Sequence, residues 1–419
     1  MTATAPTHET PGPAAAPTAL PGRMSPASEA FSGAIDFLMP DARRVGVDGS
    51  AEDLATIVAG YGLGDPTADA LVAAMRAKRV TSTEFEAALT GGLSVLEDPA
   101  PELRAFFATV DEVPAWIEEA RVAIGVRAQR RIDGVTGAGA GWALGFLLAA
   151  ILPNSARSMS TNARAVDNAG RRFAETGRIA LDLVAPDGRG RFGAGTLSST
   201  RLRILHANVR VALLRHGDWD LDFYGVPISA TDALGASMAQ VGVVQTAMRL
   251  GYRFSPEELD GVAQFAALFA YRQGVPAELI PRTYEDQLRW FQVVLRTSRG
   301  VADPASIGRL MPALVNIEVE NVPRQAQAAV RHVFNAYGRL IFGPELCEAT
   351  GIPDTPIRRV LPLAIGAVVR PFEAARVRSA RLDRATHRGA DLMWQRLMPL
   401  LYSDQANYDA DHVGAVVKA

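Results

Sequence analysis

The chain has 419 residues, 48% of them hydrophobic and 21% charged, with a formal net charge of −2. That is enough apolar material for a large core, and the near-neutral balance excludes a nucleic-acid binder driven by a global basic field. A single cysteine, Cys347, excludes an intramolecular disulfide framework and reads as a small buried apolar residue.

Residues 1–27, rich in Ala, Pro and Thr, read as a disordered tail. They lack the basic and apolar regions of a signal peptide, and no apolar stretch follows Arg43-Arg44. The expectation is a cytoplasmic protein, loosely peripheral to a membrane at most. Residues 28–402 read as one large, layered, all-α domain with its core at about 100–300, and 403–419 as a flexible tail. Only Lys78 and Lys418 are lysines, so no lysine is expected inside the core as a base or ligand.

Apolar residues recur at three and four over 68–79, 113–131, 162–184, 198–216, 232–251, 255–274, 283–297, 322–343 and 355–382, each predicting a helix. Ser255-Pro256-Glu257-Glu258 is a helix start, and Gly251 and Gly274 fit helix ends. Pro371 predicts a kink or a division of its helix. Residues 185–197 form a Gly-rich connection. The stretch 134–153, GVTGAGAGWALGFLLAAILP, is uncharged and near the length that spans a bilayer. Half of it is Gly and Ala, which insert weakly, so a buried core helix is favoured and membrane contact is the alternative. Its GAGAGWALG does not fit a dinucleotide-binding glycine pattern.

Two of these helices carry the chemistry. Arg172, Glu175 and Thr176 stand at i, i+3 and i+4, and Arg203, His206 and Arg210 at i, i+3 and i+7 of the next. The apolar surroundings make these charges costly unless paired. A cavity-facing imidazole suits haem iron, and arginines beside it suit propionates. A Glu and a Thr across a cavity suit proton handling. Spacing alone favours an internal Arg–Glu pair with a hydrogen-bonded His. His216, at a helix end, is the rival ligand. No Glu-x-x-His pair supports a di-iron bundle, and DWDLD at 218–222 lacks the terpene synthase spacing and reads as a capping turn. No nucleophile elbow supports a hydrolase.

The order R-x-x-E-T, a Gly-rich connection, R-x-x-H-A-x-V-R and then GVPIS at 225–229 resembles the latex clearing protein/mpaB oxygenase family, as does VPAWI at 113–117. The resemblance covers roughly residues 100–300 well. It implies a globin-like all-α core with additional helices, one haem b, and oxygenase activity with dioxygen on an apolar, isoprenoid or lipid-like small molecule. It implies His206 as proximal iron ligand, Arg203 and Arg210 as supports of the haem or its propionates, and Arg172 and Thr176 on the distal side. Glu175 departs from the latex clearing proteins, which carry a Lys there, and is expected to act as an acid/base at an allylic carbon. The alternatives are a non-catalytic haem protein and a haem-free helical protein with a structural Arg/Glu/His network.

Overall fold

The computed structural model describes residues 20–25, 28–40, 50–132, 134–161, 169–185, 187–319 and 322–401, without the side chains of 169–174 and 397–401. Most of the expected tails, 1–27 and 403–419, therefore lies outside the described residues. In chain order the helices are α1 (Ser32–Leu38), α2 (Ala51–Tyr61), α3 (Pro66–Arg76), α4 (Ser82–Gly91), α5 (Pro101–Asp111), α6 (Glu119–Arg130), α7 (Gly134–Ile151), α8 (Pro153–Ser160) and α9 (Ala169–Val184). They continue with α10 (Ala194–Arg215), α11 (Leu221–Tyr224), α12 (Ala230–Leu250), α13 (Pro256–Arg272), α14 (Tyr284–Thr297), α15 (Pro304–Val315), α16 (Arg324–Thr350), α17 (Val360–Arg376) and α18 (Ala380–Leu401). Among the described residues the only extended pairing is an isolated antiparallel bridge between Met24 and Ser298. The fold is all-α.

Local chemistry sets most helix ends. Ser229 with Asp232 and Ser255 with Glu258 close capping boxes that start α12 and α13. Gly251 ends α12 with φ 114°, a conformation that only glycine adopts without steric cost. Asp220 caps α11 by accepting from the Phe223 amide, so DWDLD is a capping turn as expected.

Three elements depart from the periodicity. The helix expected from 113 begins at Glu119, because Pro114 and the turn at 115–116 precede it. Pro371 does not divide its helix: α17 runs through it to Arg376, and the break falls at 377–379. The missing amide hydrogen is tolerated because that side of the helix faces solvent, where Pro371 is exposed. The helix expected over 322–343 resumes beyond Gly343, whose φ of 79° bends the chain before Pro344, and ends at Thr350.

The core gathers on α7. Trp142 stacks between Phe146 and Phe334, with centroid distances of 5.1 and 5.2 Å. Tyr337 of α16 lies against Gly139, and its hydroxyl is 2.9 Å from the Thr136 hydroxyl. Each such buried large side chain contributes about 1.5–3 kcal/mol. The middle of α7, Ala143–Leu147, is wound as a π-helix, which rotates the faces before and after it relative to one another. A second cluster packs α3, α4 and α5 around Phe85, Phe106 and Phe107 and takes Ile204 and Ala207 from α10. Cys347 is fully buried in the main core, as its residue type suggested.

Candidate functional site

A cavity of about 250 Å³ lies between α7, α9 and α12. Gly134, Gly137, Gly141 and Gly145 of α7 line it, and a Cβ added at any of them would meet nothing within 4 Å. Spaced at three and four, they form one side of the helix. Gly139, on another side, has no such freedom, since its Cβ would fall 2.2 Å from the Tyr337 ring. The side of α7 turned away from Tyr337 thus makes room by having no side chains. Opposite are Ala180, Leu181 and Val184 of α9 and Ala236, Ala239 and Val243 of α12, so the lining is largely apolar.

Among the described residues, polar groups on the wall are few: Gln129, Arg130, Thr176 and Gln240. Two of them carry buried donors with no hydrogen-bond partner, Gln129 Nε2 and Arg130 Nε. The other Arg130 nitrogens are engaged: Nη1 donates to Asp391 at 3.0 Å and Nη2 to the Val184 carbonyl. Trp394 of α18 closes the same edge and donates its indole N–H to the Arg130 carbonyl at 3.0 Å.

His206 lies elsewhere. It lines a second, small cavity of about 10 Å³ together with Asp65, Arg203, Arg210, Ala233 and Gly274, a volume for about one water. Ala233, Ala236, Gln240 and Val243 follow one side of α12, so the two cavities succeed one another along that helix. Among the described residues no group of three or more His, Cys, Asp or Glu could hold a bare metal ion. A single imidazole suits a metal that brings its own equatorial ligands.

The flanking arginines are bound within the protein. Arg203 clasps Asp65, with Nε 2.6 Å from Oδ2 and Nη2 3.0 Å from Oδ1, and also donates to Thr67 and Thr109. Asp65 meanwhile caps α3 through the Ala68 amide at 3.1 Å. Arg210 pairs with Asp69 and donates to the carbonyls of Pro227 and Ile228 at 3.0 and 2.9 Å. It thereby holds the GVPIS turn, where Ile228 has φ 49°. Gly64 and Gly274 leave room for these pairs, because a Cβ would fall 2.5 Å from Arg210 Nε or 2.0 Å from Asp65 Oδ2. These contacts fix α10 against α3 and the turn before α12. Motif reading missed Asp65 and Asp69, because their only signal is the i, i+4 spacing at the start of α3.

Burial raises the Asp65 carboxyl, but the Arg203 charge and hydrogen bonds outweigh it and hold the group below the ordinary carboxylate range. At Asp69 burial prevails over Arg210, and the pKa rises to about 6. The shelf therefore carries two carboxylates with divergent affinities for a proton.

On α9 the expected trio separates. Thr176 lines the large cavity. Glu175 is buried, with 4% exposure, and lines neither cavity. Consecutive helical residues point about 100° apart, which accounts for the difference. The Arg172 side chain lies outside the described residues. His216, the rival ligand, caps the end of α10 and is exposed.

Residues 129–371 match the family model for the ER-bound oxygenase mpaB/B′/rubber oxygenase catalytic domain. The chain is similar to a rubber oxygenase of Streptomyces sp. (strain K30), with 24% identity over 281 residues. That similarity takes in 66% of this chain, which spans 65% of the relative's length. In fold it is similar to the solved latex clearing protein LCP in its closed state, at TM-score 0.60 and 18% identity, covering 81% of this chain and 91% of that one.

Proposed function

The chain belongs to the ER-bound oxygenase mpaB/B′/rubber oxygenase catalytic-domain family, and on that premise we propose that it is a haem-b-dependent oxygenase of an apolar, isoprenoid or lipid-like small molecule. The observation that carries this is the glycine-lined cavity beside Thr176. Its volume is made by absent side chains and remains open to an occupant. The cavity also fits the chemistry of the group: a flat apolar face against glycine, and an acidic edge for the free donors of Gln129 and Arg130.

His206 would hold the iron from the neighbouring small cavity. Arg203 and Arg210 are positioning residues, which hold α10 and the GVPIS turn so that the imidazole keeps its direction. When bound, haem supplies the redox centre at which dioxygen is used. The apolar walls orient an alkene. The Thr176 hydroxyl offers a hydrogen bond to an oxygen atom in the cavity. Glu175, buried one residue earlier, would accept the proton that an allylic carbon loses as its C–H electron pair passes to the oxidant, dioxygen, once the side chain turns to the cavity.

The test is an absorption spectrum of haem-supplemented protein, followed by oxygen uptake with a panel of polyisoprenoids and terpenoids. The expected result is a Soret band that His206→Ala removes, and turnover that Thr176→Val and Glu175→Ala each lower by about 100-fold, the lower end of the range for a positioned proton-handling group. Absence of a Soret band in the wild type would overturn haem binding and leave the Arg/Asp/His shelf as structure alone. Full turnover in Glu175→Ala would remove the acid/base role.

A further inference from the structure

α17 is amphipathic in the reverse sense. Its charged side faces the protein: Glu373, 1% exposed, receives both Arg131 and Arg376 and accepts from the Arg253 amide at 2.9 Å. Its apolar side faces out. Val360 is 62% exposed, Leu363 73%, Val368 71% and Phe372 42%. They recur at three, five and four residues, and Ala364, Ala367 and Pro371 between them are also exposed. The result is one continuous apolar stripe about 18 Å long, at 1.5 Å per residue.

Arginines rim that stripe. Arg359 stands at its N-terminal end, and Arg370, Arg378 and Arg381 at its C-terminal end, all exposed. Between Thr355 and Leu382 the only carboxylate is Glu373, which is buried. An exposed contiguous apolar surface ordinarily marks an interaction site. Two copies joined through this stripe by a two-fold axis would bring arginine rims together, since the nearest carboxylates in sequence, Asp354 and Asp383, are already paired with Arg358 and Arg376. A surface of anionic phosphates satisfies the same rims, and its acyl boundary satisfies the stripe. The stripe is too short to cross a bilayer, so α17 would lie in its plane.

We propose that α17 is an interfacial anchor that seats the protein on an anionic lipid bilayer. It takes the place of the membrane contact given as the alternative for 134–153. That helix is long and apolar enough to cross a membrane, yet 61% of its window is buried, and its glycines line the cavity between α7, α9 and α12. The anchor is independent of what the cavity binds.

The test is flotation of the full chain with vesicles of phosphatidylglycerol and phosphatidylcholine in equal parts, against pure phosphatidylcholine. Wild type is expected to float with the anionic vesicles at least tenfold more than with the neutral ones. Leu363→Glu/Val368→Glu should lower that binding at least tenfold, with unchanged circular dichroism and Tm because both side chains are exposed. Arg378→Gln/Arg381→Gln should lower it several-fold and weaken its salt dependence. Failure of wild type to float, or flotation of the double-Glu variant at the wild-type level, would overturn the anchor. A dimer seen by light scattering that the same double-Glu variant dissolves would overturn it in favour of a second copy.

Discussion

The charged side of α10 and the glycine side of α7 make a contrast, since both face the groove along α12. The first carries Arg203, His206 and Arg210 of the motif, and its arginines are held by Asp65 and Asp69. The second carries no charge and no motif, yet it supplies the space. A buried guanidinium requires partners, and the chain provides them from α3. The arginines of the motif are therefore engaged by the protein itself, and the larger cavity appears where side chains are missing.

The largest expected effect comes from breaking the scaffold side. Arg203→Met leaves the Asp65 carboxylate buried without its partner, and urea unfolding should show a loss of about 3–5 kcal/mol. Asp65→Asn combined with Arg203→Met should recover part of that loss. A cost below about 1 kcal/mol, the level of an exposed pair, would mean that the shelf is not locked.

A smaller effect, of opposite sign on two nearby glycines, tests the open side. Gly139→Ala drives a methyl group into the Tyr337 ring and should cost about 1–3 kcal/mol. Gly141→Ala adds a methyl group to empty space and should gain about 0.5–1 kcal/mol through helix propensity. Equal effects in thermal melts would erase the distinction between the two sides of α7.

The smallest effect is a pH dependence at Asp69. Its pKa of about 6 in the fold lies above the ordinary 3.8, because burial outweighs Arg210. The folded chain then binds this proton more tightly than the unfolded chain, so ionised Asp69 opposes folding above pH 6. That opposition fades as pH falls from 7 towards 4. Denaturation at pH 7 and pH 5 should show a gain at the lower pH in wild type that Asp69→Asn lacks. Asp65, held low by Arg203, contributes in the opposite sense only below the ordinary carboxylate range.

Much of the helical frame was legible from periodicity and caps, as α12 and α13 illustrate with Gly251 and Ser255. The failures have local causes. Pro371 was read as a kink or a divider, and the division fails because sequence does not reveal that its side of the helix faces solvent. The π segment of α7 leaves no mark, because apolar Ala143–Leu147 is compatible with either winding. The motif also read Glu175 and Thr176 as partners across one cavity, whereas the fold turns only Thr176 to its wall.

Helix positions and the costly placement of arginines in apolar surroundings follow from neighbours along the chain. Propensity, capping and the price of burying a charge act over a few residues. Which carboxylate meets which arginine depends on α3 folding back onto α10, across 138 residues between Asp65 and Arg203. Which glycines of α7 open onto space, and which meet Tyr337, depends on packing from α9, α12 and α16. The apolar stripe of α17 points outward for the same reason: Arg131, distant in sequence, draws Glu373 inward and turns the helix about its axis.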